Sequence, residues 1–114
     1  MQKINRIAIV VKGRQPLVDW INQKVPDEKI SLEDVRSDCN VLLIPDGYEH
    51  TEAIEMVEQN FEAVFLSEME GWFHDETMWP KDITLTKFRK WFELEYHSVI
   101  FDVLEESIEK EENL

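Results

Sequence analysis

The side chains best suited to chemistry lie in one short stretch, Glu95-Tyr96-His97-Ser98, which Asp102 follows. A second histidine stands beside two acids in His74-Asp75-Glu76. Imidazole and carboxylate groups together can bind a divalent metal ion, and a carboxylate that orients a histidine can support general acid–base catalysis. The candidate metal ligands are His97, Glu95, His74 and Asp75.

The spacing of these residues does not favour either kind of site. Side chains on a strand alternate between faces, so His97 and Asp102, an odd number of residues apart, fall on opposite faces. The chain has no His-Glu-x-x-His motif, and its three glycines form no phosphate-binding loop. We therefore favour a structural role for His97, and we assign no catalytic residue and no cofactor.

Cys39 is the single cysteine, so no internal disulfide can form. This fits a reducing compartment, and Asp38 beside it should disfavour the reactive thiolate. The apolar run near the amino terminus is too short for a signal peptide, and no run reaches the ~18 residues of a membrane span. We expect a cytoplasmic protein without membrane contact.

The net charge of −13 is unevenly distributed, because residues 37–80 contain eleven Asp and Glu but no Lys or Arg. Nucleic-acid binding needs basic residues to neutralise phosphates, so direct binding is not expected. Part of this charge forms a predicted acidic surface of Glu52, Glu55, Glu58 and Glu62. We favour a solvated helix face for this surface, with a basic protein partner or a nucleic-acid mimic as alternatives.

Aromatic residues form a further group in and around the loop 71–82: Trp72, Trp79, Trp91 and Phe92. A small secondary core, where the loop folds back on the last helix, is the favoured interpretation. A lined pocket or a homo-oligomer interface is the functional alternative.

Hydrophobic periodicity and turn residues predict the elements that position these groups. The predicted strands are 3–12, 29–33, a buried strand at 41–44, and 97–104; the predicted helices are 16–25, 51–73 and 85–95. Two choices stay open. Ser31 and Asp34 could form a helix-opening capping box instead of the strand at 29–33, and the long helix could break near Asn60, giving a strand at 61–66.

This order, βαββα(α)β, predicts an α+β two-layer sandwich of the ferredoxin-like kind. A mostly antiparallel sheet of 3–4 strands would have helices on one face. Without a strand at 29–33, a three-stranded sandwich remains. We expect a single domain over 1–104 and an acidic, frayed or disordered tail over 105–114.

The run WFELEYHSVIFDV at 91–103, with Trp-Pro at 79–80, resembles a recurring carboxyl-terminal pattern of small bacterial proteins of uncharacterised function. The resemblance covers about a third of the chain. It implies a bacterial cytosolic origin and no activity.

Taken together, these features predict a non-enzymatic domain that acts by protein–protein association, with a homodimer or a basic protein as the candidate partner. The alternative is a small metal-dependent or acid–base enzyme that uses His97, Glu95 and His74. An acidic nucleic-acid mimic is a weaker alternative.

Overall fold

A computed structural model describes residues 1–111 of the 114-residue chain. Its strands are β1 (Gln2–Lys3), β2 (Arg6–Gly13), β3 (Asn40–Pro45), β4 (Phe92–His97) and β5 (Phe101–Asp102). Its helices are α1 (Gln15–Lys24), α2 (Leu32–Arg36), α3 (His50–Gln59), α4 (Phe61–Trp72) and α5 (Leu85–Trp91), with a 3-10 turn at Glu76–Met78. Within the described residues, no helix has the length and apolar character required to cross a membrane.

The main sheet has three antiparallel strands in the order β3-β2-β4. The predicted first strand is thus the central one, but it is divided into β1 and β2. β1 pairs with β5 in a two-stranded ribbon. The ribbon continues the β2–β4 pairing after one extra residue on the amino-terminal strand, as at a β-bulge.

The helices bury one face of the main sheet. Ile7, Ile9 and Val11 point from β2 into this core, as alternation along a strand requires. Aromatic rings fill its centre: the Phe65 and Phe92 ring centroids lie 5.4 Å apart in an edge-to-face contact. Phe65, with Ala53, Val57 and Met69, brings buried side chains from the predicted helix 51–73 into this core.

The strand predicted at 29–33 is wrong, and the capping-box alternative is confirmed. Ser31 Oγ accepts a hydrogen bond from Asp34 N at 3.1 Å, and Ser31 N donates to Asp34 Oδ2 at 2.9 Å. These reciprocal bonds satisfy backbone N–H groups at the start of α2, which a short isolated strand would leave unpaired.

The prediction of a single helix over 51–73 is also wrong, because the helix is interrupted at Asn60. This residue has a non-helical conformation, and its side chain donates to Met56 O at 2.9 Å, which ends α3. The break is followed by α4 and not by the strand predicted at 61–66. The apolar run that suggested a strand is amphipathic on the helix: Phe65 is buried whereas Leu66 is 40% exposed.

The boundary between the last helix and strand was predicted several residues too late. The helix ends at Trp91, and Phe92 already has extended backbone angles. Phe92, Leu94 and Tyr96 contact the core from alternate positions of β4. The predicted strand at 97–104 is reduced to the end of β4 and the two residues of β5.

The mixed α+β class with antiparallel sheets is confirmed, in its three-stranded form. The ferredoxin-like order is not confirmed, since it needs a strand at 29–33. In the predicted tail, residues 105–111 are exposed and form neither helix nor strand; residues 112–114 lie outside the described part of the chain.

Candidate functional site

The face of the main sheet opposite the helices is named here the uncovered face. It consists of alternate residues of the three strands: Arg6, Ala8, Val10 and Lys12 on β2, Val41, Leu43 and Pro45 on β3, and Glu93, Glu95 and His97 on β4. Ala8 is buried at 5% exposure and Val10 is half-buried, whereas Val41 and Leu43 are exposed. Within residues 1–111, none of these four is part of the buried cluster beneath the helices.

The β3 side of the uncovered face is apolar and open to solvent. Val41 is 53% exposed and Leu43 is 48% exposed, although the sequence predicted a buried strand here. The prediction was wrong because a run of four apolar residues does not reveal whether one or both faces of a strand are covered. Edge position, which only the sheet order shows, decides the matter.

The β4 side of the uncovered face is a row of paired charges. Lys12 Nζ donates to Glu95 Oε2 at 3.0 Å, and His97 Nε2 lies 2.7 Å from the other oxygen, Glu95 Oε1. Near the start of β4, Arg36 of α2 lies 3.4 Å from Glu93. Arg36 also donates a hydrogen bond to the carbonyl oxygen of Gly13 at the end of β2. Lys12 was not among the predicted site residues, because only the register of the strands shows which residue lies beside Glu95 across the sheet.

These contacts lower the pKa of the Glu95 carboxyl below its ordinary value. The hydrogen bond from His97 is the largest cause, and the bond from Lys12 is the next. Each favours the charged carboxylate. Glu95 is therefore an ionised carboxylate that bridges the nitrogen donors of Lys12 and His97. This structural role explains the arrangement of the three side chains without a catalytic function.

The other predicted ligands lie elsewhere. His74 contacts Glu70 on α4 at 2.9 Å, and Asp75 caps the 3-10 turn by accepting from Thr77 N and Oγ1. These two bonds from Thr77 lower the pKa of Asp75. Within residues 1–111, no three His, Cys, Asp or Glu side chains converge on a point where they could hold a metal ion. The structure thus joins His97 with Glu95 but not with His74.

The aromatic group divides between core and surface. Trp91 and Phe92 are core residues, and Trp91 packs on Trp20 with ring centroids 5.4 Å apart. Trp79 donates from Nε1 to Phe73 O at 2.7 Å, which fastens the loop to the end of α4. Trp79 packs against the same core cluster, so these residues extend the main core and the predicted secondary core is not separate from it.

Trp72 instead lines a pocket of about 210 Å³ between α4 and the start of β3. Cys39, Asn40 and Glu68 contribute its polar wall. Ligand pockets usually exceed about 300 Å³, so this one is small. Burial raises the pKa of the Cys39 thiol and that of the Glu68 carboxyl, and the bond from Asn40 only partly offsets the latter. The thiolate is disfavoured as predicted, mainly by burial and least by Asp38.

The predicted acidic surface is interrupted. Arg89 on α5 binds Glu58 through two hydrogen bonds of 2.7 and 3.1 Å, and Glu52 accepts from Glu49 N in a capping box. Glu62 lies beyond the break at Asn60. A nucleic-acid mimic needs a continuous strip of carboxylates, so these four residues do not supply one.

Exposed apolar side chains continue from the sheet into the β1–β5 ribbon. Val99, Phe101, Val103 and Leu104 are exposed in or beside β5, and half of the Phe101 side chain is open to solvent. Among the large exposed apolar residues that the structure describes, a single one, Leu66, lies on a helix. No known protein-family model matches the chain, and comparisons with curated proteins and with solved structures found no significant similarity.

Proposed function

We propose that this chain is a non-enzymatic association domain that binds another protein through its uncovered face and the adjoining β1–β5 ribbon. One observation carries the proposal: among the described residues, large exposed apolar side chains lie on β3, on β5 and in the segments beside β5, whereas a single one lies on a helix. Contiguous exposed apolar surface rimmed by polar groups is typical of protein interaction sites. Here the rim is the charged row on β4, which Ala8 and Val10 of β2 separate from Val41 and Leu43.

The enzyme alternative rests on the 2.7 Å contact between His97 and Glu95. Against it, both side chains stand on an open strand face, at about half exposure, and the pocket beside Cys39 contains neither. General acid–base catalysis requires a substrate held within hydrogen-bonding distance in a site that limits water. The paired charges fit the rim of an interface better than a catalytic centre.

The proposal is tested with Leu43→Lys, which places a charge in the middle of the apolar area. The matched control is Leu66→Lys, since Leu66 is similarly exposed but lies on α4. The tagged full chain is assayed for its mass in solution and for proteins retained from a lysate of its host. We expect association of one kind or the other in the wild type, its loss in Leu43→Lys, and its retention in Leu66→Lys. A wild type that binds nothing, or two variants that behave alike, would contradict the proposal.

Measuring the melting temperature with added metal ions distinguishes the metal-dependent enzyme alternative from the proposed association domain. A ligand that binds only the folded state raises the melting temperature. With no three ligands converging in the described residues, we expect Zn²⁺, Mn²⁺ and Ni²⁺ to leave the melting temperature unchanged. A rise that His97→Ala abolishes would instead favour the metal-dependent alternative.

A further inference from the structure

The edge strand β3 lacks the features that usually keep an exposed strand from pairing. Soluble proteins protect such edges with charged side chains, proline, bulges or a covering element. β3, Asn-Val-Leu-Leu-Ile-Pro, carries no charge, and its one proline is the last residue. Its pairing with β2 runs unbroken over six residues, so it has no bulge.

The opposite edge of the same sheet shows the contrast. β4 displays Glu93, Glu95 and His97 on the uncovered face. Charges of this kind oppose edge-to-edge pairing. The chain therefore protects one edge of its sheet and leaves the other edge neutral, apolar and exposed.

We propose that two copies of this chain pair antiparallel through their β3 strands, which forms one six-stranded sheet across a twofold axis. The inference rests on the proposed function and names a second copy as the partner at the β3 edge of the uncovered face. A twofold axis normal to the sheet makes the two edge strands antiparallel and keeps both uncovered faces on the same side. The apolar areas of the two copies then join into one.

Charge favours a second copy over a basic partner at this edge. Two chains of net charge −13 repel each other, so they can meet only where like charges are absent. β3 satisfies this condition. On the uncovered face, Lys12 pairs with Glu95 and Arg36 with Glu93 within one chain. No excess of negative charge remains there to attract a basic protein.

The charges that flank β3 also select the register. If the twofold axis places Leu42 opposite Leu42 of the other copy, Asp38 of each copy lies level with Asp46 of the other. This register brings like charges together. If the pairing is centred on Leu43, the two Leu43 side chains meet and Val41 lies opposite Pro45. Asn40 then faces Asp46, an uncharged donor against an acceptor. We assign the register centred on Leu43.

The first test is the mass of the full chain in solution over a wide range of protein concentration, at moderate NaCl. The wild type and Leu66→Lys should form a dimer that dissociates on dilution, whereas Leu43→Lys should stay monomeric. A wild type that is monomeric at all concentrations overturns the inference, and so does a dimer that Leu43→Lys leaves intact. If the wild type is monomeric but retains a lysate protein that Leu43→Lys loses, the second copy is overturned and the proposed function stands.

The second test is disulfide trapping in a Cys39→Ser background. In the assigned register, cysteines at position 43 of both copies meet, whereas cysteines at position 41 lie about 13 Å apart along the strands. A disulfide needs Cα atoms within about 7 Å. Mild oxidation should therefore link Leu43→Cys into a covalent dimer and leave Val41→Cys and Leu66→Cys unlinked. Linkage of Val41→Cys without Leu43→Cys overturns the assigned pairing.

Discussion

Gly13 occupies a position at the end of β2 where a larger residue does not fit. A Cβ atom built there would lie 2.5 Å from Val35 Cγ1 and 2.7 Å from Leu17 Cδ2, so these two buried side chains would have to shift. Overpacking of this kind costs about 1–3 kcal/mol. We expect Gly13→Ala to lower the free energy of unfolding by that amount, measured by urea denaturation.

Gly71 is the matched control for Gly13→Ala. A Cβ atom there has no neighbour within 4 Å, and the residue lies inside α4, where alanine is the better helix former by up to about 1 kcal/mol. Gly71→Ala should therefore leave stability unchanged or raise it. Equal losses in the two variants would mean that the close packing around Gly13 is not the cause.

A second residue-scale prediction concerns Glu68, whose carboxyl has its pKa raised above the ordinary 4.5 by burial. The folded state then holds the proton to a higher pH than the unfolded state. Stability from this group is full below the unfolded pKa and is lost as the pH rises through the folded pKa. Glu68→Gln keeps an acceptor for Asn40 Nδ2 and removes the charge.

Glu68→Gln should thus be more stable than the wild type at neutral pH, and the difference should shrink as the pH falls towards 4.5. Urea denaturation at several pH values measures it. Glu62→Gln, an exposed acid on the same helix, should show a smaller difference. A Glu68→Gln variant that is less stable at neutral pH would show that the charged carboxylate is favoured.

At the scale of elements, the start of the last helix was predicted correctly, whereas its end was predicted too late from the hydrophobic periodicity. The predicted start of the last helix at residue 85 is confirmed, because Thr84 directly before it accepts a hydrogen bond from Lys87 N. In contrast, Phe88, Trp91 and Phe92 fit a helical period by coincidence, so the helix was extended into β4. Phe92 would contact the core in a helix as well as in a strand. Only its pairing with β2 determines that it belongs to the strand β4.

The link between α3 and α5 gives an element-scale prediction. Arg89 reaches Glu58 across 31 residues of sequence in a bidentate pair, in which the Arg89 side chain is 60% exposed and that of Glu58 is 18% exposed. In a double-mutant cycle, Glu58→Gln and Arg89→Gln should show a small favourable coupling that added salt reduces. Glu52→Gln with Arg89→Gln should show none. Coupling that is absent from the first pair, or equal in both pairs, would contradict a specific link.

At the scale of the whole molecule, the sequence lists the charged residues, but it does not show which of them form salt bridges. Glu95 and His97 were found because they are neighbours in sequence, whereas Lys12 is 83 residues away from Glu95. The apolar edge was misassigned for the same reason: burial of Val41 and Leu43 depends on the strands and helices around them. Hydrophobic periodicity and turn residues therefore predicted the fold class, whereas the candidate surface could be identified only from the strand register.

The uneven charge of the whole molecule leads to a final prediction. Within the described structure, Arg89 at Glu58 is the single Lys or Arg that forms a salt bridge with the acidic interval 37–80. The remaining like charges repel, and salt shortens the range of this repulsion from about 30 Å at 0.01 M to about 8 Å at 0.15 M. The melting temperature should rise over this range. Leu43→Lys is the background for the measurement, so that self-association does not contribute. Neutralising Glu52, Glu55 and Glu62 together with Gln should reduce the rise. A melting temperature that salt leaves unchanged would mean that this acidic interval does not destabilise the fold.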